Sequence, residues 1–189
     1  MKTLATLALL GVVACGGSTT TINTDDGGAD SATDAGGGGD SGTTCPGTSL
    51  GKSIYGSCFD AITLTHNQGG FGPPVPQGSE CTIVGDVYDL DLKSGAFKRE
   101  SCVNPGYPQP YKKTTVTATF APGALAGVVS ALKSVVVTSN GGCVADGPTL
   151  MLDVKASGKS VRFGDSKLSA CMGTPVDGLD GLETALQAK

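Results

Sequence analysis

The sequence predicts an α+β domain, with an antiparallel sheet, two short helices packed on one face and three disulfides as staples. Three observations point there. Short alternating or β-branched stretches bounded by Gly and Pro recur between residues 61 and 163. Two later stretches carry an apolar stripe at helical spacing. Six cysteines, Cys45, Cys58, Cys81, Cys102, Cys143 and Cys171, lie from residue 45 onward. Strands and helices in this order suit a sheet with helices gathered on one face.

The elements follow in order. "AITLTHNQ" (61–68) alternates as a half-buried strand does. "CTIVGDVYDLDLKSGAFKRESC" (81–102) reads as a hairpin turning near Lys93-Ser94-Gly95. "KTTVTATFA" (113–121) alternates again. "PGALAGVVSALKSV" (122–135) opens with proline at a first-turn position and sets Leu125, Val128, Val129 and Leu132 on one face, so a helix is expected. A short strand follows at 135–138. "TLMLDVKASGKSVRF" (149–163) has strand composition on both sides of Ser157-Gly158, which predicts a two-residue hairpin loop pairing Ala156 with Lys159. "VDGLDGLETALQAK" (176–189) places Leu179, Leu182 and Leu186 on one stripe and predicts a closing helix. Gly/Pro-rich loops are expected at 69–79 and 103–111.

An even number of cysteines in an exported domain reads as a disulfide framework. The register of the 149–163 hairpin, carried outward, sets Cys143 opposite Met172, beside Cys171. These two are expected to pair. Cys81 and Cys102 bracket the other hairpin, about six residues out of register, and are paired next. Cys45 and Cys58 are left to each other. A lone histidine and the lack of any C-x-x-C argue against zinc, and no cofactor or metal site is expected.

Export is inferred from residues 1–14, read as a signal peptide. Lys2 gives a positive start and an apolar run spans Leu4 to Ala14. That is short of the roughly 20 residues a membrane helix needs. Val12-Val13-Ala14-Cys15 resembles the lipobox of bacterial lipoproteins. The resemblance implies that Cys15 becomes the first mature residue and carries lipid, which anchors the chain to a membrane; two or more acyl chains suffice for stable anchoring. Residues 15–44 then read as the lipidated cysteine and a disordered linker. Between 16 and 43 the only aliphatic side chain larger than alanine is Ile22. Such a segment cannot bury enough surface to offset its ordering entropy, and 28 residues span about 30 Å root-mean-square. Asp25, Asp26, Asp30, Asp34 and Asp40 lack the spacing of a calcium loop.

Residues 45–189 make one domain. The chain holds 13 basic and 17 acidic residues. Lys2 and the five linker aspartates account for the imbalance, so the domain is neutral. Neutrality without a basic run gives no case for nucleic acid, and the absence of tryptophan gives little for carbohydrate stacking.

Candidate chemistry is sparse. "CPGTSLGKS" (45–53) imitates two motifs. A phosphate loop needs four residues between its first Gly and the Gly-Lys pair, and Thr48-Ser49-Leu50 supplies three. A nucleophile elbow at Ser49 needs strand, turn and helix around it. Here a glycine-rich linker precedes, so a surface loop is expected, with Ser49 and Lys52 inert. His66 reads as a solvent-exposed strand-end residue without a nucleophile or orienting carboxylate signature. Asp86, Asp89 and Asp91 raise acid–base chemistry, but Asp89 and Asp91 alternate onto one strand face and read as solvated.

One resemblance touches the domain. "ITLTHNQGGFG" (62–72), the helix end "LKSV" (132–135), "ADGPTLMLDV" (145–154) and "GLDGLETAL" (178–186) are similar in order to emfourin-type proteins, inhibitors of thermolysin-like metalloproteases. About half of 60–186 is covered. The six cysteines and the insertion Pro73–Lys112 depart from that pattern, and no inhibitory residue is carried over. Two functions are therefore expected to compete. One is a non-enzymatic binding or structural module on a lipid anchor, at the outer membrane or cell surface. The other is a tethered protease inhibitor.

Overall fold

The computed structural model describes residues 45–69, 75–139, 141–142 and 147–188. Cys15, the signal segment and the linker lie outside these. The elements are β1 (Phe59–Asn67), β2 (Gly85–Asp91), β3 (Ala96–Val103), β4 (Lys112–Thr119), α1 (Pro122–Ser134), β5 (Val136–Val137), β6 (Thr149–Ala156), β7 (Lys159–Asp165), β8 (Thr174–Asp177) and α2 (Leu179–Gln187), with a 3-10 turn at Ala170–Met172. The strands form one sheet ordered β4-β3-β2-β1-β6-β7-β8-β5. The α+β class is as expected.

Strand parity builds the core. Ile62 and Leu64 of β1, Tyr88 and Leu90 of β2, Leu150, Leu152 and Val154 of β6 and Phe163 of β7 are buried on one face. They form a single cluster with Val128 and Leu132 of α1 and Leu179, Leu182 and Leu186 of α2. The other face is polar. Thr63, Asp89, Lys98, Glu100, Asp153 and Arg162 alternate onto it, and Arg162 binds Asp153 across strands at 2.8 and 2.9 Å. One buried and one solvated face is the usual state of a sheet whose strands alternate apolar and polar residues.

The hairpin at Ser157-Gly158 has the expected register, Ala156 opposite Lys159. Both loop residues have positive φ, 51° and 79°, as a turn matched to strand twist requires. The β2–β3 turn is held by Asp91, whose carboxylate accepts the N–H groups of Lys93 and Ser94 at 2.9 and 2.7 Å. These bonds, those from Ser94 largest, hold the Asp91 carboxyl below its ordinary range.

Three expectations need correction. The sheet is mixed rather than antiparallel, because β8 runs parallel to β7, with Phe163 opposite Thr174. Residues 166–173 reverse the chain beside β7, and the buried Ser169 side chain bonds both the N–H and C=O of Leu150 at 3.1 and 2.7 Å. Second, residues 176–177 belong to β8, so α2 starts at Leu179. Third, β4 is not half-buried: its residues are exposed except Ala118, because it lies at the sheet edge, beyond the helical layer.

The cysteine expectation is met in part. Two of the three expected disulfides are described, Cys45–Cys58 and Cys81–Cys102. Gly85 lies opposite Cys102, so Cys81 sits before the ladder, in the loop leading to β2, and reaches back. Cys171 is disulfide-bonded, while Cys143, its expected partner, lies outside the described residues. The hairpin register that suggested this pair does not extend to it, since the β6–β7 ladder stops at Met151 opposite Gly164.

Candidate functional site

A polar cluster interrupts the apolar face across β1, β2 and β3, and α2 reaches it over β1 and β2. His66 follows Ile62 and Leu64 on the same face of β1, Asp86 precedes Tyr88 and Leu90 on β2, and Arg99 and Ser101 follow Phe97 on β3. Strand pairing aligns His66 with Asp86, Asp86 with Ser101 and Tyr88 with Arg99. From above, α2 adds Glu183 and Gln187, one turn apart beside its leucine stripe.

The hydrogen bonds divide into two groups. Glu183 Oε1 lies 2.8 Å from His66 Nδ1 and accepts from Tyr88 Oη at 3.3 Å and Gln187 Nε2 at 3.1 Å. Gln187 Nε2 also donates to Tyr88 Oη at 3.0 Å. Asp86 Oδ1 accepts from Arg99 Nε at 3.2 Å and Nη2 at 3.1 Å, and from the Ser101 hydroxyl. The Arg99 guanidinium lies 5.3 Å from the Tyr88 ring centroid, a cation–π contact that ties the groups together. Burial, the main cause, pushes the Tyr88 hydroxyl up to about 12, so it stays protonated and donates.

His66 thus differs from the exposed strand-end residue expected. It stands at the strand end, but faces α2, with its side chain 33% exposed against 12% for Glu183. A carboxylate oxygen accepts, so in this contact the proton is on His66 Nδ1. That is the carboxylate–imidazole half of a catalytic relay. The Ser101 hydroxyl, on the neighbouring strand pair, donates to Asp86.

A shallow concavity of about 370 Å³ opens beside the cluster, lined by Gln68, Asp86, Arg99, Ser101, Thr114 and Val116. Its charged groups already satisfy each other. Among the described residues no buried side-chain polar atom lacks a partner, and no group of His, Cys, Asp and Glu is placed to hold a metal. The cluster therefore holds α2 on the sheet and presents a neutralised polar floor.

The other candidates lie elsewhere. Asp89 and Asp91 occupy the solvated face, where Asp89 accepts from Thr63 Oγ1 at 2.7 Å. "CPGTSLGKS" runs along the far edge of the sheet. Gly51 N–H donates to Val137 C=O at 2.8 Å, Val137 N–H to Lys52 C=O at 2.9 Å and Ile54 N–H to Val135 C=O at 3.1 Å. Ser49 and Lys52 are exposed there, four strands from His66. Ser49→Ala and Lys52→Ala are expected to shift stability by less than about 0.5 kcal/mol, as ordinary surface changes do. Urea denaturation checks this, and a loss above 1 kcal/mol would contradict the loop reading.

Sequence reasoning did not single out Tyr88, Arg99, Ser101, Glu183 or Gln187. A signal existed, since strand parity puts His66 on the face of Ile62 and Leu64, and Glu183 and Gln187 flank the leucine stripe. What the sequence could not show was that α2 lies over β1 and β2. No protein-family model matches the chain, and neither the curated proteins nor the solved structures give a match.

Proposed function

We propose that this chain is an envelope lipoprotein, anchored through Cys15 at the outer membrane or cell surface, whose domain is a non-enzymatic binding or structural module. The observation that carries the reading is Val12-Val13-Ala14-Cys15 followed by a spacer without a core-forming pattern. Two features of the domain support it. Disulfides Cys45–Cys58 and Cys81–Cys102 suit an oxidising compartment. The His66–Glu183 contact joins β1 to α2, a structural use of the pair. The reading includes the third disulfide, Cys143–Cys171, no cofactor, and no nucleic-acid partner, given the neutral domain.

The test is the mature amino terminus. Mass spectrometry of the exported protein is expected to show an acylated Cys15, and Cys15→Ser is expected to leave the membrane fraction. An unmodified amino terminus elsewhere, on a chain that washes off membranes, would refute the anchor.

A second reading, a tethered inhibitor of thermolysin-like metalloproteases, has one observation in its favour. The elements underlying the emfourin resemblance occur in the required order, as β1, the end of α1, β6 and α2. Titration of the exported protein against thermolysin separates the two, since inhibition at stoichiometric concentration would favour the inhibitor.

A further inference from the structure

The two edges of the sheet are finished differently. Residues 51–54 cover the β5 edge, whereas β4 is covered only at its start. Phe120 N–H donates inward to Gly95 C=O at 2.9 Å, so strand alternation turns the peptide groups of Lys113, Thr115 and Thr117 outward. Glu80 Oε2 takes the Lys113 N–H at 2.9 Å. Among the described residues none takes the outward groups of Thr115 and Thr117. The β3–β4 register behind them is unbroken, from Ala96 opposite Thr119 to Val103 opposite Lys112. Native sheets seldom leave such a rim unmasked.

A second feature adjoins the rim. The concavity of about 370 Å³ opens on the helix-side face of β3 and β4, where Val103 and Val116 line it and are 51% and 52% exposed. Arg99, at its floor, is neutralised by Asp86. Apolar walls over a neutral floor favour an uncharged aliphatic side chain. The charges of β4, Lys112 and Lys113, sit at one end of the rim, with side chains 62% and 43% exposed. Their present contacts, Glu80 at 3.4 Å and Glu100 at 3.7 Å, are long surface pairs worth little.

We propose that the β4 rim binds an extended acidic segment of a partner protein. The segment adds a strand antiparallel to β4, with an aliphatic residue opposite Val116 and carboxylates opposite Lys113 and Lys112. Antiparallel addition continues the pairing of every strand from β4 to β7. In strand addition, main-chain bonds supply affinity and alternate side chains supply specificity. Thr115 and Thr117 offer the first; Val116 and the two lysines offer the second. A residue opposite Val116 shares its face, so its side chain lies beside the concavity. A one-residue slip would turn the segment's peptide groups away from the rim. A second copy fits less well, because its β4, Lys-Lys-Thr-Thr-Val-Thr-Ala-Thr, offers no carboxylate to either lysine. The proposal deepens the binding-module reading and is independent of the anchor: an unacylated Cys15 would refute the anchor and leave the rim as it is.

The test selects peptides on the exported full chain in detergent. The library holds end-blocked peptides as long as β4, eight residues. Selected peptides are expected to carry Asp or Glu in the last two positions. An aliphatic residue is expected three places before the first acid, the spacing of Val116 from Lys113. The Thr115 and Thr117 amides are expected to exchange freely in the chain alone and at least about tenfold more slowly with the best peptide bound. Lys112→Glu with Lys113→Glu is expected to weaken that peptide about tenfold, and a peptide with lysines in place of its acids is expected to restore binding to this variant. Selection without acids, or with acids at the amino end, would overturn the proposal. So would Thr115 and Thr117 amides already protected in the chain alone; protection that grows with protein concentration would assign the rim to a second copy.

Discussion

Phe163→Ala is expected to destabilise the domain by about 3–5 kcal/mol, in the range for removing a fully buried phenylalanine from a core. Phe163 has no exposed surface. It lies opposite Leu152 on one side and Thr174 on the other, where the antiparallel and parallel parts of the sheet meet. Backbone on both sides is held by ladders, so the space cannot close by collapse. A urea series should show a lower midpoint with an unchanged slope. Leu50→Ala, at a position 63% exposed, should move the midpoint hardly at all. A Phe163→Ala loss below about 1 kcal/mol would mean that the β7–β8 junction is not packed as described.

Replacing Cys81 and Cys102 together by alanine is expected to cost about 3 kcal/mol, and the same change at Cys45 and Cys58 a similar amount. The estimate follows from the loops closed, 21 and 13 residues long, since the entropy removed from the unfolded chain grows only slowly with loop length. The local consequences should differ. Cys81–Cys102 pins the loop whose Ser79 and Glu80 cover the start of the β4 edge, so its removal should also speed exchange at the Tyr111 and Lys113 amides. Cys45–Cys58 ties down the segment that covers the β5 edge, and its removal should speed exchange at Gly51 and Ile54. Equal acceleration at all four amides in both variants would show that the staples act globally.

Much of the fold was legible because its signals are local. Ser157-Gly158 between two β-branched runs specifies a hairpin and its register. Pro122 ahead of an apolar stripe specifies α1, and the spacing of Leu179, Leu182 and Leu186 specifies the buried side of α2. What was missed depends on tertiary placement. The four residues Thr174–Asp177 carry a proline and look like a helix lead-in; they become a strand only because residues 166–173 bring them beside β7. The alternation of "TTVTAT" is the pattern of a half-buried strand, but position at the edge leaves both faces of β4 open. The polar cluster escaped notice for the same reason. His66 has no partner nearby in sequence, and Glu183 reaches it only because the last helix lies across the first strands.

The central strand carries a consequence for assembly. β1 is made first, yet of its two neighbours β2 follows closely while β6 arrives only after β3, β4, α1 and β5. Ile62 and Leu64 face Val154 and Leu152, so half of the core waits for the carboxy-terminal third of the chain. The early meander β1 to β4 is local and can form quickly, but until β6 docks it exposes a second bare edge along β1. A fold so dependent on distant pairing has a high contact order. Its refolding should take milliseconds to seconds rather than microseconds, and its half-made form should be prone to associate, edge to edge, with other unfinished chains.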